Sequence, residues 1–464
     1  MSLFKIAWRN MQQRGLASVL TMLSMALGVG LVVLVLSVGW LIQKSFSRNS
    51  NVGYNLIVGA KGSPLQLTLN TVFYLSRPIE VLPYDEYLEF LPLEERTAEI
   101  KRIGGLIAEP DRAGIYGSLY MKGGFAIPVC LGDYFGPFRV VGTKAEFFEN
   151  LRYGEDADLQ YEFSEGRNFV DYSEENGFYE AVIGSHVAAE MNVKLGDEIK
   201  TTHGDPEGEG HGQGFKVVGI LRSTGTPNDR AAFINIEGFY LMEGHARAIE
   251  PAELAKVEKT SVAAENSSAA GQEPQPPRLP LEKRDLTAVL VRPATGMYAM
   301  NMERTINKSL RAQAASPIRE IATMLENFVR PINDALLTLT GVVCLVSAIS
   351  ILVSIYNSMN ERRRDIAVMR ALGARRDVVM SVIMIESLLI ATIGGGVGWL
   401  AGHLIGVLCS PAVEYRTGIQ MGLLTSVTLP ELILIPGLIL LATLAGLIPA
   451  LAAYKTDVSK NLAS

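Results

Sequence analysis

The sequence predicts a membrane protein with four transmembrane α-helices and a large α+β extracytoplasmic domain between helices 1 and 2. Three observations predict it. Residues 15–43, 335–360 and 432–454 carry no charged side chain and 378–413 carry only Glu386, each run matching the ~20 apolar residues that cross a ~30 Å hydrocarbon core. Basic residues cluster at 1–14 (Lys5, Arg9, Arg14) and at 361–377 (six Arg), whereas 44–334 hold 30 basic and 41 acidic residues. By the positive-inside rule both clusters are cytoplasmic and the long segment lies outside, so both termini face in. Within that segment, strand-like and helix-like patterns alternate.

Taken in order, residues 1–14 read as an amphipathic helix in the cytoplasmic interface, with Phe4, Ala7, Trp8 and Met11 opposite Lys5, Arg9 and Gln12. The first span, 15–43, is about twice the length of a secretory h-region and ends without a small-x-small site, so it reads as an uncleaved anchor. The external domain, 44–330, is expected to form strands at 55–60, 125–131, 138–142, 215–221, 231–236 and 286–291, and helices at 185–193 and 297–314. Residues 250–284 are rich in Ala, Glu, Ser, Gln and Pro. With few large apolar side chains to offset ordering entropy, they read as disordered. Of the three cysteines, Cys130 alone is external, which excludes a disulfide within this domain. The helical pattern resumes near Ser316 toward the second span, 335–360, with a kink or fresh start at Pro331. The cytoplasmic link 361–377, the third span 378–410, a short external loop 411–431, the fourth span 432–454 and a cytoplasmic tail 455–464 complete the chain.

The link reads Glu361-Arg-Arg-Arg-Asp-Ile-Ala-Val-Met-Arg-Ala-Leu-Gly-Ala-Arg-Arg-Asp377. It is too charged for lipid, and too apolar at Ile366, Val368, Met369 and Leu372 for a solvated loop. A helix docking into another protein's groove fits it, and so does an arginine clamp on phospholipid headgroups. Gly394, Gly398, Gly402 and Gly406 recur every four residues in the third span, a small-residue face for close helix packing. Glu386 sits near enough to the cytoplasmic end of that span to meet the link's arginines, and His403 has no evident partner. His203, His211 and His245, with the carboxylates around the Gly-rich stretch 203–214, are weak candidates for zinc or copper. The spacing lacks a compact H-x-x-x-H, a hairpin tip accounts for it, and no metal centre is predicted. No catalytic constellation stands out, so the chain does not read as an enzyme. Nothing points to nucleic acid.

The 361–377 stretch resembles the signature of MacB/FtsX-type ABC transporter permeases. Glu165-Gly-Arg167, the 181–191 and 195–197 segments and Phe215-Lys-Val-Val-Gly-Ile220 are similar to the MacB-like periplasmic core. The resemblance implies a permease homodimer or heterodimer with cytoplasmic ABC ATPase subunits that bind ATP and Mg. It implies coupling through Glu361, Arg362, Arg363, Arg364, Asp365, Ile366, Met369, Arg370, Leu372 and Gly373, and mechanotransmission to the external domain for export or release of substrate. A periplasmic or lipoprotein partner is compatible with it. No G-x-x-x-x-G-K-[ST] phosphate cradle occurs in these 464 residues, so ATPase activity is expected on a partner chain, as in lipoprotein-releasing permeases. Two other readings remain at this point: a transmembrane regulator of a cell-wall hydrolase, and a metal-linked transport system.

Overall fold

The computed structural model describes residues 2–417 except 14, 49–51, 76, 79, 106, 108, 119, 155–157, 205–207, 209, 246–277 and 362–372, together with Glu431 and part of 436–451. The chain forms two compact units, Met1–Ser45 with Leu325–Ser464, and Phe46–Met324.

Among the described residues, helices reaching Gly15–Leu41, Pro317–Asn357 and Arg376–Pro411 are long and apolar enough to cross a membrane. The expected fourth span falls largely outside the described residues. The amino-terminal helix Leu3–Gln13 buries Ala7 and Met11 while Phe4 and Trp8 stay exposed. It packs on the helix Arg376–Thr417. Met11 joins Met25, Val29, Val33, Ile355, Val379 and Ile383 in one apolar cluster.

The second unit is built on a ten-stranded sheet. Its strands are β1 (Leu56–Ala60), β2 (Phe125–Phe135), β3 (Phe138–Thr143), β4 (Phe163–Gly166) and β5 (Glu180–Ile183). They continue as β6 (Glu198–His203), β7 (Gly210–Leu221), β8 (Ala231–Asn235), β9 (Ala288–Arg292) and β10 (Ala312–Ala315). The order across the sheet is β10-β1-β9-β2-β3-β8-β5-β7-β4, and β6 pairs with both β7 and β2. Pairing is antiparallel except for β3 with β8 and β5 with β7. Successive residues of a strand face opposite sides, and here both sides are covered. Ala231 and Phe233 enter one core while Ala232 and Ile234 enter the other, and β9 divides in the same way. That is why these strands read as unbroken apolar runs rather than alternating ones.

Local chemistry sets the helices that flank the sheet. Pro64–Phe73 starts on a Ser63 cap that accepts the Gln66 N–H, with Pro64 where no helical donor is needed. Leu93–Ile103 carries Glu94 and Glu95 in its first turn and Lys101 and Arg102 in its last, matching the helix dipole. Cys130 is buried with its Sγ 3.3 Å from the Tyr240 hydroxyl, and burial pushes its thiol up to about 12.

Several expectations change. The helix expected over 297–314 stops at Lys308, and Ala312–Ala315 is an edge strand instead. The Asn307 side chain bonds both the N–H and the C=O of Ala314, which folds the chain back toward β1. The expected disorder to residue 284 is wrong at its end, because Arg278, Leu281 and Arg284 are packed into the domain. Counting apolar side chains missed the two arginines, since the buried Glu237 carboxylate holds them. Residues 246–277 lie outside the described residues. At Pro331 the backbone passes through a π-helical turn, Leu325–Val329, before α-helix resumes at Arg330. Pro331 thus falls in the first turn of the resumed α-helix, the position where proline is tolerated. The third apolar helix runs on to Thr417 with Pro411 inside it, beyond the expected end at 410.

Candidate functional site

Glu361 closes the helix Arg330–Glu361. Arg362, Arg363, Arg364, Asp365, Ile366, Met369, Arg370 and Leu372 lie outside the described residues. Gly373 follows with φ 99°, a left-handed conformation open to glycine, and the next helix begins at Arg376 with Asp377 in its first turn.

The glycine stripe meets the first apolar helix. A Cβ on Gly394 would lie 2.8 Å from the Met22 carbonyl oxygen, one on Gly398 would run into the Ala26 carbonyl, and one on Gly402 would lie 3.0 Å from the Gly30 carbonyl. Met22, Ala26 and Gly30 are themselves spaced by four, so matching ridges of two helices face each other. Gly406 continues the stripe and is buried.

Glu386 is buried in the same unit, and of the link's six arginines Arg362, Arg363, Arg364 and Arg370 lie outside the described residues. His403, for which no partner was expected, has one: its Nε2 lies 3.0 Å from the Glu431 carboxylate, with both side chains buried and the Trp399 ring 4.6 Å away. A separation of 28 residues hid this pair.

Two polar clusters organise the second unit. In the larger, Glu237 accepts two bonds from Arg284 (2.7 and 3.0 Å) and lies 3.1 Å from Arg102 and 3.3 Å from Arg278. Arg102 also bonds Glu99 and Asp171, Arg278 bonds Asp171, and Lys144 bonds Glu99 at 2.8 Å. Burial alone would raise the Glu99 pKa, yet Lys144 and Arg102 hold its carboxyl well below the usual range. Likewise Tyr87 and Glu99 outweigh burial and keep the Lys144 ammonium above its ordinary value. The Arg284 guanidinium lies 4.9 Å from the Tyr240 ring centre and 5.5 Å from that of Tyr84. These groups clamp the 278–284 segment to the sheet and offer no nucleophile.

The smaller cluster joins Asp133, His203 and His245. The β6–β7 hairpin expected from the Gly-rich stretch is present, and it sets His203 directly across from Asp133 of β2. The β2–β3 register shifts between Leu131 and Tyr134, and such a bulge redirects side chains. Asp133 is wholly buried, with His203 Nδ1 3.2 Å from its Oδ1 and His245 Nε2 3.2 Å from its Oδ2. His211 lies on β7, and its side chain is not described. Asp133 was absent from the sequence-based candidates, although an Asp after Gly132 within an apolar strand was the available signal.

Long apolar helices on either side of an inserted two-faced sheet define a polytopic membrane protein with a large extramembrane domain. Family comparison narrows this. A model of the MacB-like periplasmic core domain matches residues 18–268, more than half the chain, and one of the FtsX-like permease C-terminal domain matches 337–458. The chain belongs to this family of MacB/FtsX-type ABC transporter permeases. It is similar to an uncharacterized ABC transporter permease of Methanocaldococcus jannaschii, 23% identical over 89% of this chain and 86% of that protein. It also resembles macrolide export ATP-binding/permease proteins MacB. That of Rhodopirellula baltica is 23% identical over 52% of this chain and 35% of the relative, and that of Bordetella avium 37% over 27% and 20%. The match thus spans about a third of the MacB relatives' length or less.

Proposed function

We propose that this chain is the permease subunit of an ABC transporter, set in a cytoplasmic membrane with four spans and both termini inside. A separate ATPase drives it. The observation that carries the reading is the pairing, on one chain, of a MacB-like core domain and an FtsX-like permease domain. Glu361 to Gly373 would dock in the ATPase, and two permease protomers would share an ATPase pair. The work is mechanical: nucleotide-driven movement of the apolar helices is transmitted to the large domain, which moves or releases substrate outside the membrane. Two features support this over a polar channel. Among the described residues, Glu386 and His403 are the buried ionisable side chains within the three apolar helices, and the Gly394–Gly402 contact leaves two of them backbone to backbone.

The test is co-expression with an ABC ATPase followed by reconstitution. The expected result is co-purification and ATPase stimulation by the full chain, both lost in the triple variant Arg363→Ala, Asp365→Ala, Met369→Ala. Unchanged stimulation in that variant would sink the coupling assignment.

A further inference from the structure

We propose that Asp133, His203 and His245 form a binding site for one divalent transition metal of the kind that prefers imidazole with a carboxylate, with zinc the reference ion. This is independent of the transport reading. The ligand set comes from three places in the fold, β2, the end of β6 and the turn after the helix Ile236–Leu241, yet its donor atoms all lie within 4.8 Å of one another. Each imidazole nitrogen is 3.2 Å from a carboxylate oxygen. Tetrahedral zinc with bonds of ~2.0–2.1 Å separates neighbouring donors by ~3.3 Å, close to the two nitrogen–oxygen separations here.

The surroundings are those of a held ligand set. Asp133 also accepts a bond from the Thr201 hydroxyl, 3.2 Å from Oδ2, and feels the charge of Arg139. The Phe239 ring packs 4.2 Å from His245, whose side chain is almost fully enclosed. Such outer contacts fix ligand orientation. His203, in contrast, is more than half exposed and leaves a side open to solvent, where an ion could enter and a water complete the coordination. Wholly burying a carboxylate is costly unless it is paired. Here a ring nitrogen of each imidazole faces one of its oxygens, and a bound metal ion would displace the protons shared there.

The experiment uses untagged full-length chain in detergent, stripped with chelator and titrated with zinc against a fluorescent competitor. One zinc per chain with Kd below ~1 μM is expected, weakened about 100-fold or more by His245→Gln and by Asp133→Asn. His186→Gln, which alters a histidine set edge-on to Phe138, should leave affinity unchanged. Because a buried substitution can unfold the domain, His203→Cys supplies a second readout at an exposed position. With cobalt it should show thiolate-to-metal charge-transfer absorption. Absence of saturable zinc binding tighter than ~10 μM, equal affinity in His245→Gln, or no charge-transfer band in a folded His203→Cys chain would each overturn the site.

Discussion

The two units are held together by opposite means. In the apolar unit, side chains are removed so that backbones meet: Gly394, Gly398 and Gly402 face Met22, Ala26 and Gly30. The sheet unit instead brings long charged side chains inward, with Arg102, Lys144, Arg278 and Arg284 converging on Glu99, Asp171 and Glu237. The difference follows from solvent. In lipid there is little gain from burying more hydrocarbon, so close packing of small residues does the work. In water, burying apolar faces drives folding, and a buried ion must be fully partnered or it is costly. Damage should therefore take different forms in the two units.

The largest effect is expected in the charge lattice. Arg284→Met removes the bidentate partner of wholly buried Glu237 and should cost ~3–5 kcal/mol, read as a fall in the thermal midpoint of the full chain in detergent. A loss below ~1 kcal/mol would show that Arg102 and Arg278 suffice. Next is Gly398→Leu, which forces the Ala26 carbonyl away and should cost ~1–3 kcal/mol of helix association. Gly396→Ala, where a Cβ meets nothing within 4 Å, should be neutral or slightly stabilising by the same assay. If both variants behave alike, the stripe is not the contact.

Acid should separate the units further. Glu99, Glu89, Asp171 and Glu180 all titrate below their ordinary values, because arginine and lysine partners outweigh the cost of burial. Their stabilisation is full above the unfolded carboxylate range and is lost as pH falls through the folded values. Circular dichroism melts should be flat near neutral pH and decline below about pH 4.5. Lys144→Met should reduce the steepness of that decline. The smallest effect is reserved for Arg222→Ala, which breaks an exposed pair with Glu162 and should stay within ~0.5 kcal/mol.

What could be read from the sequence followed the same division. The three described apolar helices were legible because their signals are local: charge-free runs mark helices, and a four-residue glycine period marks a face. The sheet's central strands were legible as apolar runs. Legibility failed where distant side chains meet. Arg284 looked like the end of a polar linker until Glu237, 47 residues away, gave it a buried partner. His403 looked isolated until Glu431 reached it. His203 and His245 lacked ligand spacing along the chain because their common partner is Asp133, on another strand.

Cys130 has a practical consequence. The chain has three cysteines, two of them in apolar stretches, and the third is enclosed with its acidity suppressed to about 12. Near neutral pH such a thiol stays in its unreactive neutral form. A cysteine introduced on the surface of the sheet domain should therefore take up a maleimide dye or spin label against a nearly silent background in that domain. Pairs of such probes would test the proposed displacement of the domain without first removing any native thiol from it.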